Sequence, residues 1–427
     1  MFSGNNFYEV IVLMNENEKN MQYIEVSEGI RLHFYYETDF ITNFVSLVWT
    51  VSADKKTATT VSLIAECLKT GPDGNRTELD KRLADMYGAN FDAQIIQKGG
   101  RQLIALNFES ISDKAADEKV LKNGIELLRQ CVECRINEKM LNQAKQRLKN
   151  RLEQKNDSAA ETAIERLIDI VYADDSFSVH CDGYAEDISN ISVNDVNELF
   201  GKIKAEAPTD IFISGDINKE TAVNYAEQLV YKRRNPQKLE ADDVNITAGC
   251  AEKSEGRSID QSRIAMAYTS DLESYGKDYY TALVLREILC GSGDSVLYDS
   301  VRQKEGLCYY IGGRLMRFRM VYIIDAGIKV GSEEKAASII EDSIRSTKIT
   351  DTMVNKAKNA VIRAEGETAD KRTGRLNETM NSMLLGIIEK IPVEKMIESI
   401  STNDVSKALN KLEYKGKFIL YAQKGDK

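Results

Sequence analysis

The alternation of hydrophobic and polar positions predicts strands followed by helices in the first half of the chain. Residues 41–53 and 101–109 are apolar stretches typical of strands, and a helix is predicted between them at 57–69. Two further helices are predicted from apolar residues that recur at three- and four-residue steps: Leu141, Ala144, Leu148 and Leu152, and then Ile164, Leu167, Ile168 and Val171.

The second half repeats this order of elements. Strands are predicted at 262–268 and 320–330, and a helix is predicted at 278–289. Strands that precede runs of helices, rather than alternating strictly with them, are typical of an α+β sandwich. We therefore expect an α+β fold in each half.

A six-residue segment occurs twice and marks equivalent places in the two halves. Residues 191–196 read ISVNDV, and residues 400–405 read ISTNDV. In each copy a serine precedes an aspartate by three positions, which is the spacing of a helix N-terminal cap. The two pairs are Ser192 with Asp195 and Ser401 with Asp404. An apolar strand follows each copy, so the pattern predicts a tandem duplication.

The length of 427 residues fits two domains better than one core. We expect a first domain at 1–231 and a second at 258–427. The intervening residues 232–257 are rich in Lys, Asp, Glu and Asn and lack periodicity, so they are predicted to be a linker.

Composition and charge exclude several classes of partner. The formal charge is −10 and the pI is near 5.2, which argues against nucleic acid and anionic membranes. No apolar stretch approaches a membrane span, and residues 1–14 are predicted to form a short strand rather than a secretory signal. Seven scattered cysteines indicate reduced thiols, so we expect a cytoplasmic protein.

Histidine and cysteine are too sparse to form a familiar metal site. The two histidines, His33 and His180, lie far apart, so no helix presents a pair of imidazoles to Zn²⁺. The one CxxC motif, Cys131 and Cys134, is compatible with half a zinc site, a redox pair or two small buried residues. The lack of further ligands, and the position of the pair at the end of a helix predicted to begin near Ala115, favour buried residues.

Residues 279–310 resemble the C-terminal domain signature of the insulinase/pitrilysin metallopeptidase family, which includes the mitochondrial processing peptidase. That signature has an apolar helix, a glycine-containing turn, Ser-x-Leu and then Arg-x-x-x-x-Gly-Leu-x-Tyr. The matching residues are Ser295, Leu297, Arg302, Gly306, Leu307 and Tyr309. The resemblance implies two homologous αβ-sandwich domains, which agrees with the duplication.

The first half resembles the family more loosely and departs from it at the metal site. Residues 87–93, YGANFDA, are similar to the family's Gly-Ala-x-x-Asn-Ala turn. Counting back from that turn places the zinc motif HxxEH on Ser62, Ala65 and Glu66, and the third ligand, a glutamate, near 142–147, where no acidic residue occurs. The resemblance therefore implies a chain with degenerate zinc-site positions and no cofactor of its own.

Arg302 and Tyr309 are nevertheless present. In paired members of this family, an inactive subunit contributes such a pair to grip substrate, and the partner carries the zinc. The resemblance thus implies a non-catalytic, substrate-binding subunit of a heterodimeric zinc peptidase acting on small or unstructured peptides, such as leader peptides. We expect no activity from the chain alone.

Two alternatives remain. The chain is also compatible with a non-proteolytic homodimer or scaffold that binds a peptide or protein on the same fold. The second alternative concerns the pair itself: Arg302 would pair locally, and Tyr309 would pack at the start of a strand.

Overall fold

A computed structural model describes residues 21–242, 248–291, 293–387 and 392–423. The strands are β1 (Met21–Ser27), β2 (Ile30–Tyr36), β3 (Thr42–Ser52), β4 (Asn90–Lys98), β5 (Arg101–Ile111), β6 (Thr209–Gly215), β7 (Ala251–Arg257), β8 (Ser262–Thr269), β9 (Cys308–Met316), β10 (Val321–Ile328) and β11 (Glu413–Ala422). The helices are α1 (Ala58–Leu68), α2 (Arg76–Asp85), α3 (Asp113–Ala116), α4 (Val120–Glu133), α5 (Glu138–Asp157), α6 (Ala159–Val171), α7 (Val193–Glu206), α8 (Lys219–Gln228), α9 (Gly276–Cys290), α10 (Glu333–Ser346), α11 (Asp351–Ala369), α12 (Arg372–Leu384), α13 (Val393–Glu398) and α14 (Thr402–Asn410).

The predicted α+β class is confirmed by two mixed sheets flanked by helices. The helix expected to begin near Ala115 is instead two helices, because Asp117 adopts a left-handed backbone conformation (φ 54°) between α3 and α4. The segment expected to be a linker, 232–257, ends in strand β7. The strand predicted at 1–14 lies outside the described residues.

The first sheet runs in the order β1-β2-β6-β3-β5-β4. Strand β2 is parallel to β6, and the other neighbours are antiparallel. Alternate residues of β3, Val45, Leu47 and Trp49, point into a core shared with α1 and α4, because strand side chains alternate between faces. Edge strand β4 packs beside α1, which places the helix that carries the degenerate zinc positions at the margin of the sheet.

The second sheet has the order β7-β11-β8-β10-β9 within the described residues. Strand β9 is an edge strand that pairs with β10 alone. Helix α9 packs against β9, as α1 does against β4 in the first sheet. This correspondence extends to the helix caps: Ser192 and Asp195 form a capping box at α7, and Ser401 and Asp404 form one at α14.

The described residues form two compact units. One segment from the first half of the sequence, Glu153–Ser178, belongs to the second unit. The described residues as far as Leu152, with Val179–Glu240, form the first unit; Glu153–Ser178 and the residues from Ala241 onward form the second. The sequence-based division places the whole of 1–231 in the first domain. Helix α6 packs with the second unit because its apolar face covers β8, β10 and β11.

Buried ion pairs hold the end of this segment. Arg319, whose side chain is fully buried, donates to both Asp175 oxygens at 2.6 and 3.0 Å and to Asp242 at 2.8 Å. Within the described ranges, no helix has the length and apolar character needed to cross a bilayer.

Candidate functional site

The three degenerate zinc positions lie together on α1, and all are buried. Ser62 is 0% exposed, and Ala65 and Glu66 are each 2% exposed. All eleven residues of α1 are buried, because its sequence ATTVSLIAECL has no charged residue except Glu66. In the family motif these positions would carry two imidazoles and a general base. The alanine at the base position has no group that could transfer a proton.

The position of the first histidine is closed by a neighbouring loop. The Ser62 hydroxyl donates to the Cys181 carbonyl at 2.9 Å. Gly183 adopts a left-handed conformation (φ +76°), and a Cβ there would lie 2.4 Å from the Thr59 Cα atom. The loop therefore rests directly on α1 and leaves no space for an imidazole in place of the serine.

Cations surround Glu66, at the position of the second histidine. Arg147 donates from Nε to its carboxylate at 3.0 Å and from Nη2 to its backbone carbonyl at 2.6 Å. Arg151 makes a short contact to the same carboxylate, and Lys69 Nζ lies 3.0 Å from it. Burial alone would raise the pKa of Glu66, but the charges of Lys69, Arg151 and Arg147 outweigh it and hold the pKa below its ordinary value.

The residues present do not fit a zinc ion. Both carboxylate oxygens of Glu66 are engaged by guanidinium or ammonium groups, and no second ligand adjoins them. Arg147, on α5, occupies the end of the window in which the family's third ligand would fall, and it contributes positive charge rather than a carboxylate. A search of the described ranges finds no group of three His, Cys, Asp or Glu side chains able to hold a metal.

Sequence reasoning missed Arg147 and Arg151 as partners of Glu66. It sought an acidic residue near 142–147 and attached no meaning to the arginines there. A carboxylate within an otherwise uncharged, buried helix requires a cation, because an unpaired buried charge is costly. The sequence therefore indicated that Glu66 needs a cationic partner, and two arginines one turn apart on α5 were candidates for that role.

Arg302 and Tyr309 lie in the second unit, on either side of a turn at Gly306. Arg302 is exposed in a π-helical segment, Tyr298–Lys304, and its guanidinium lies 5.0 Å from the centroid of the Tyr298 ring. π-Helical turns are frequent at functional sites. Gly306 supplies the left-handed conformation (φ +62°) that turns the chain into β9.

Both side chains remain available to a ligand. Tyr309 is 69% exposed at the start of edge strand β9. Burial raises the pKa of the adjacent Cys308 thiol and the charge of Arg302 opposes this, so the guanidinium acts close to that end of the strand. Among the described residues, no carboxylate pairs with Arg302 and the Tyr309 hydroxyl has no hydrogen-bond partner.

The remaining cysteine and histidine candidates have local packing roles. Cys131 is fully buried, and burial raises the pKa of Cys134 to about 11, which is unfavourable for a redox thiol. His33 Nε2 lies 2.8 Å from Asp210, and its ring stacks on Phe212. The ring of His180 stacks on a tyrosine.

Comparisons with known proteins show similarity to M16 peptidases in sequence and in fold. The sequence model of the family described as "Peptidase M16 inactive domain" matches residues 190–361. A Bacillus subtilis (strain 168) protein named "Probable inactive metalloprotease YmfF" is 23% identical over 416 residues, covering 93% of this chain and 97% of that protein.

Two solved structures show the same fold over nearly the whole chain. A conserved protein from Enterococcus faecalis V583 is 20% identical, with a TM-score of 0.86, over 96% of this chain and 100% of that one. A peptidase M16 inactive domain from Pseudomonas fluorescens is 16% identical, with a TM-score of 0.77, over the same shares. Residues 190–361 thus match the inactive-domain model of M16 peptidases, the chain has the fold of M16-like proteins, and its sequence contains no HxxEH motif.

Proposed function

We propose that this chain is the substrate-binding subunit of a heterodimeric, cytoplasmic zinc peptidase whose partner carries the metal. The substrates would be small or unstructured peptides, such as leader peptides. One observation carries the proposal: Arg302 and Tyr309 are exposed, and in the described part of the chain neither has an ionic or hydrogen-bonding partner, although the metal position is closed. In this proposal the pair acts beside a metal that the partner supplies.

The chemistry of the pair suits an auxiliary role in peptide cleavage. A guanidinium and a phenol both donate hydrogen bonds to carbonyl oxygens. Donors placed where negative charge develops stabilise the transition state of amide hydrolysis. In this proposal the partner supplies the metal-bound water, and this chain holds the peptide backbone.

Co-expression with an HxxEH-bearing homologue from the same genome tests the proposal. We expect the two chains to purify as a complex and zinc-dependent cleavage of an unstructured peptide to appear only in the mixture. A partner equally active alone, or one that forms no complex, would contradict it. Peptide binding by the chain alone, with no gain in the partner's rate, would instead support a binding homodimer.

A further inference from the structure

Positive charge exceeds negative charge in the cluster that occupies the former zinc position. The cluster comprises the cations Lys69, Arg147 and Arg151 and the carboxylates Glu66 and Asp182, which lies 3.0 Å from Arg151. Three cations and two carboxylates leave a net charge of +1 on these five side chains. This local excess contrasts with the −10 charge of the whole chain.

Some donors in this cluster remain unused, and the cationic side chains that carry them are partly exposed. Arg147 donates hydrogen bonds to Glu66 from Nε and Nη2. Its third nitrogen, Nη1, has no acceptor among the described residues. The Lys69 ammonium carries three N–H groups and has one carboxylate partner. The side chains of Lys69, Arg147 and Arg151 are 29%, 36% and 32% exposed, whereas Glu66 is 2% exposed.

The buried carboxylate fixes these cations in place before any ligand arrives. Long cationic side chains normally lose conformational freedom when they bind, which weakens binding. Contacts to Glu66 already restrain all three. The cluster therefore offers pre-positioned N–H donors around a point of excess positive charge.

We propose that the lost metal site has become a binding site for a single carboxylate of the peptide ligand. A carboxylate matches both the fork of a guanidinium and the net charge of +1. A polyanion would carry more negative charge than the cluster neutralises, and the net negative charge of the rest of the chain would repel it. The inference rests on the proposed function only in taking a peptide as the ligand.

Fluorescence polarisation with three labelled peptides tests the carboxylate preference. The first is a short N-acetylated peptide without charged side chains and with a free C-terminal carboxylate. The second is its C-terminal amide, and the third is that amide with one internal glutamate. We expect at least one carboxylate-bearing peptide to bind on the order of tenfold more tightly than the uncharged amide, as the loss of charged hydrogen bonds implies. Tighter binding of the first peptide would identify the ligand group as a C-terminal carboxylate, and tighter binding of the third would identify it as a side-chain carboxylate.

Two variants locate the binding to the cluster. Lys69→Gln and Arg147→Gln should each remove most of this preference, while Arg129→Gln, an exposed arginine of α4 paired with Glu126 and Glu133, should leave it intact. Lys69→Gln leaves Glu66 paired with two arginines. It therefore reports on binding even if the Arg147 variant folds poorly.

Equal affinity for all three peptides, or an unchanged preference in the Lys69 variant, would overturn the inference. The chain is assayed without any partner. Selective binding of a carboxylate-bearing peptide can therefore be observed even if no heterodimer forms. Conversely, an active heterodimer can form from a chain that shows no such selectivity.

Discussion

At the scale of residues, contacts at two positions and a missing functional group at the third explain why the residues matched to the zinc motif form no metal site. The Cys181 carbonyl accepts from Ser62, Ala65 carries no functional group, and Arg147 with Arg151 binds Glu66. Each of the two contacts places an interaction that stabilises the fold where the family motif has a histidine. Around the Glu66 carboxylate, the positive charge comes from Lys69, Arg147 and Arg151 rather than from a divalent metal ion.

Glu66 should stabilise the first unit in a pH-dependent way. Glu66→Gln is expected to lower the free energy of unfolding at pH 7 by about 2 kcal/mol, because it removes charged hydrogen bonds. The pKa of Glu66 is lower in the folded than in the unfolded chain, so this stabilisation is complete above the ordinary value of 4.5 and is lost as pH falls through the folded value.

Urea unfolding followed by the fluorescence of Trp49, the only tryptophan and a buried residue of the first unit, measures this. The difference between wild type and Glu66→Gln should shrink towards pH 3. A difference that stays constant with pH would show that the carboxylate charge is not responsible.

Restoring the sequence motif should not restore the metal site. In a variant with Ser62→His, Ala65→Glu and Glu66→His, we expect less than stoichiometric zinc after dialysis, measured by elemental analysis. The loop at Cys181 leaves no room for the first imidazole, and Arg147 and Arg151 place positive charge beside the second. Adding Arg147→Glu provides the comparison; stoichiometric zinc in the triple variant would refute this account of the site.

At the scale of elements, the segment Glu153–Ser178 is the main departure from chain order. Helix α6 buries Ala163, Ile164 and Leu167 against the second sheet. Its C-terminal side is fixed by Asp175, which binds the buried Arg319. The second unit therefore needs a segment from the first half of the sequence to cover one face of its sheet.

Asp175→Asn should destabilise the second unit by about 3 kcal/mol, because it leaves a buried guanidinium undercompensated. The matched control is Asp271→Asn, which removes an exposed, solvent-screened pair with Lys411 and should change the stability far less than Asp175→Asn does. Calorimetry measures both. Equal effects of the two substitutions would show that the Arg319 pair does not anchor this segment.

The elements that the sequence predicted are those with strong apolar periodicity. Strands β3 and β5 alternate between a hydrophobic core and the opposite face, so their patterns were sufficient. Strand β7, with the sequence AEKSEGR, has no apolar pattern because it is an exposed edge strand held by backbone pairing with β11. The packing of α6 was also not predictable, since an apolar helical face does not specify which sheet it covers.

The candidate site was predictable only in part, for a related reason. The motif around Arg302 and Tyr309 is local in sequence and could be recognised directly. The contacts of Glu66 with Arg147 and Arg151 join residues 81 and 85 positions apart. Such long-range pairing depends on how α5 packs, and spacing alone does not reveal it.

At the scale of the whole molecule, the two compact units differ in the side chains that they carry at the positions discussed above. The first places α1 beside β4, and Ser62, Ala65 and Glu66 on that helix do not form a metal site. The second retains Arg302 and Tyr309 in exposed positions.

The most direct test of this account is the zinc-dependent cleavage rate of the reconstituted heterodimer with substitutions at the pair. Arg302→Ala and Tyr309→Phe should each lower kcat/KM on the order of a hundredfold without loss of complex formation, as removal of a transition-state donor does. The neighbouring exposed residues provide matched controls, Lys304→Ala and Tyr310→Phe, which should leave the rate unchanged. Rates unaffected by all four substitutions would contradict the assignment of substrate binding to this chain.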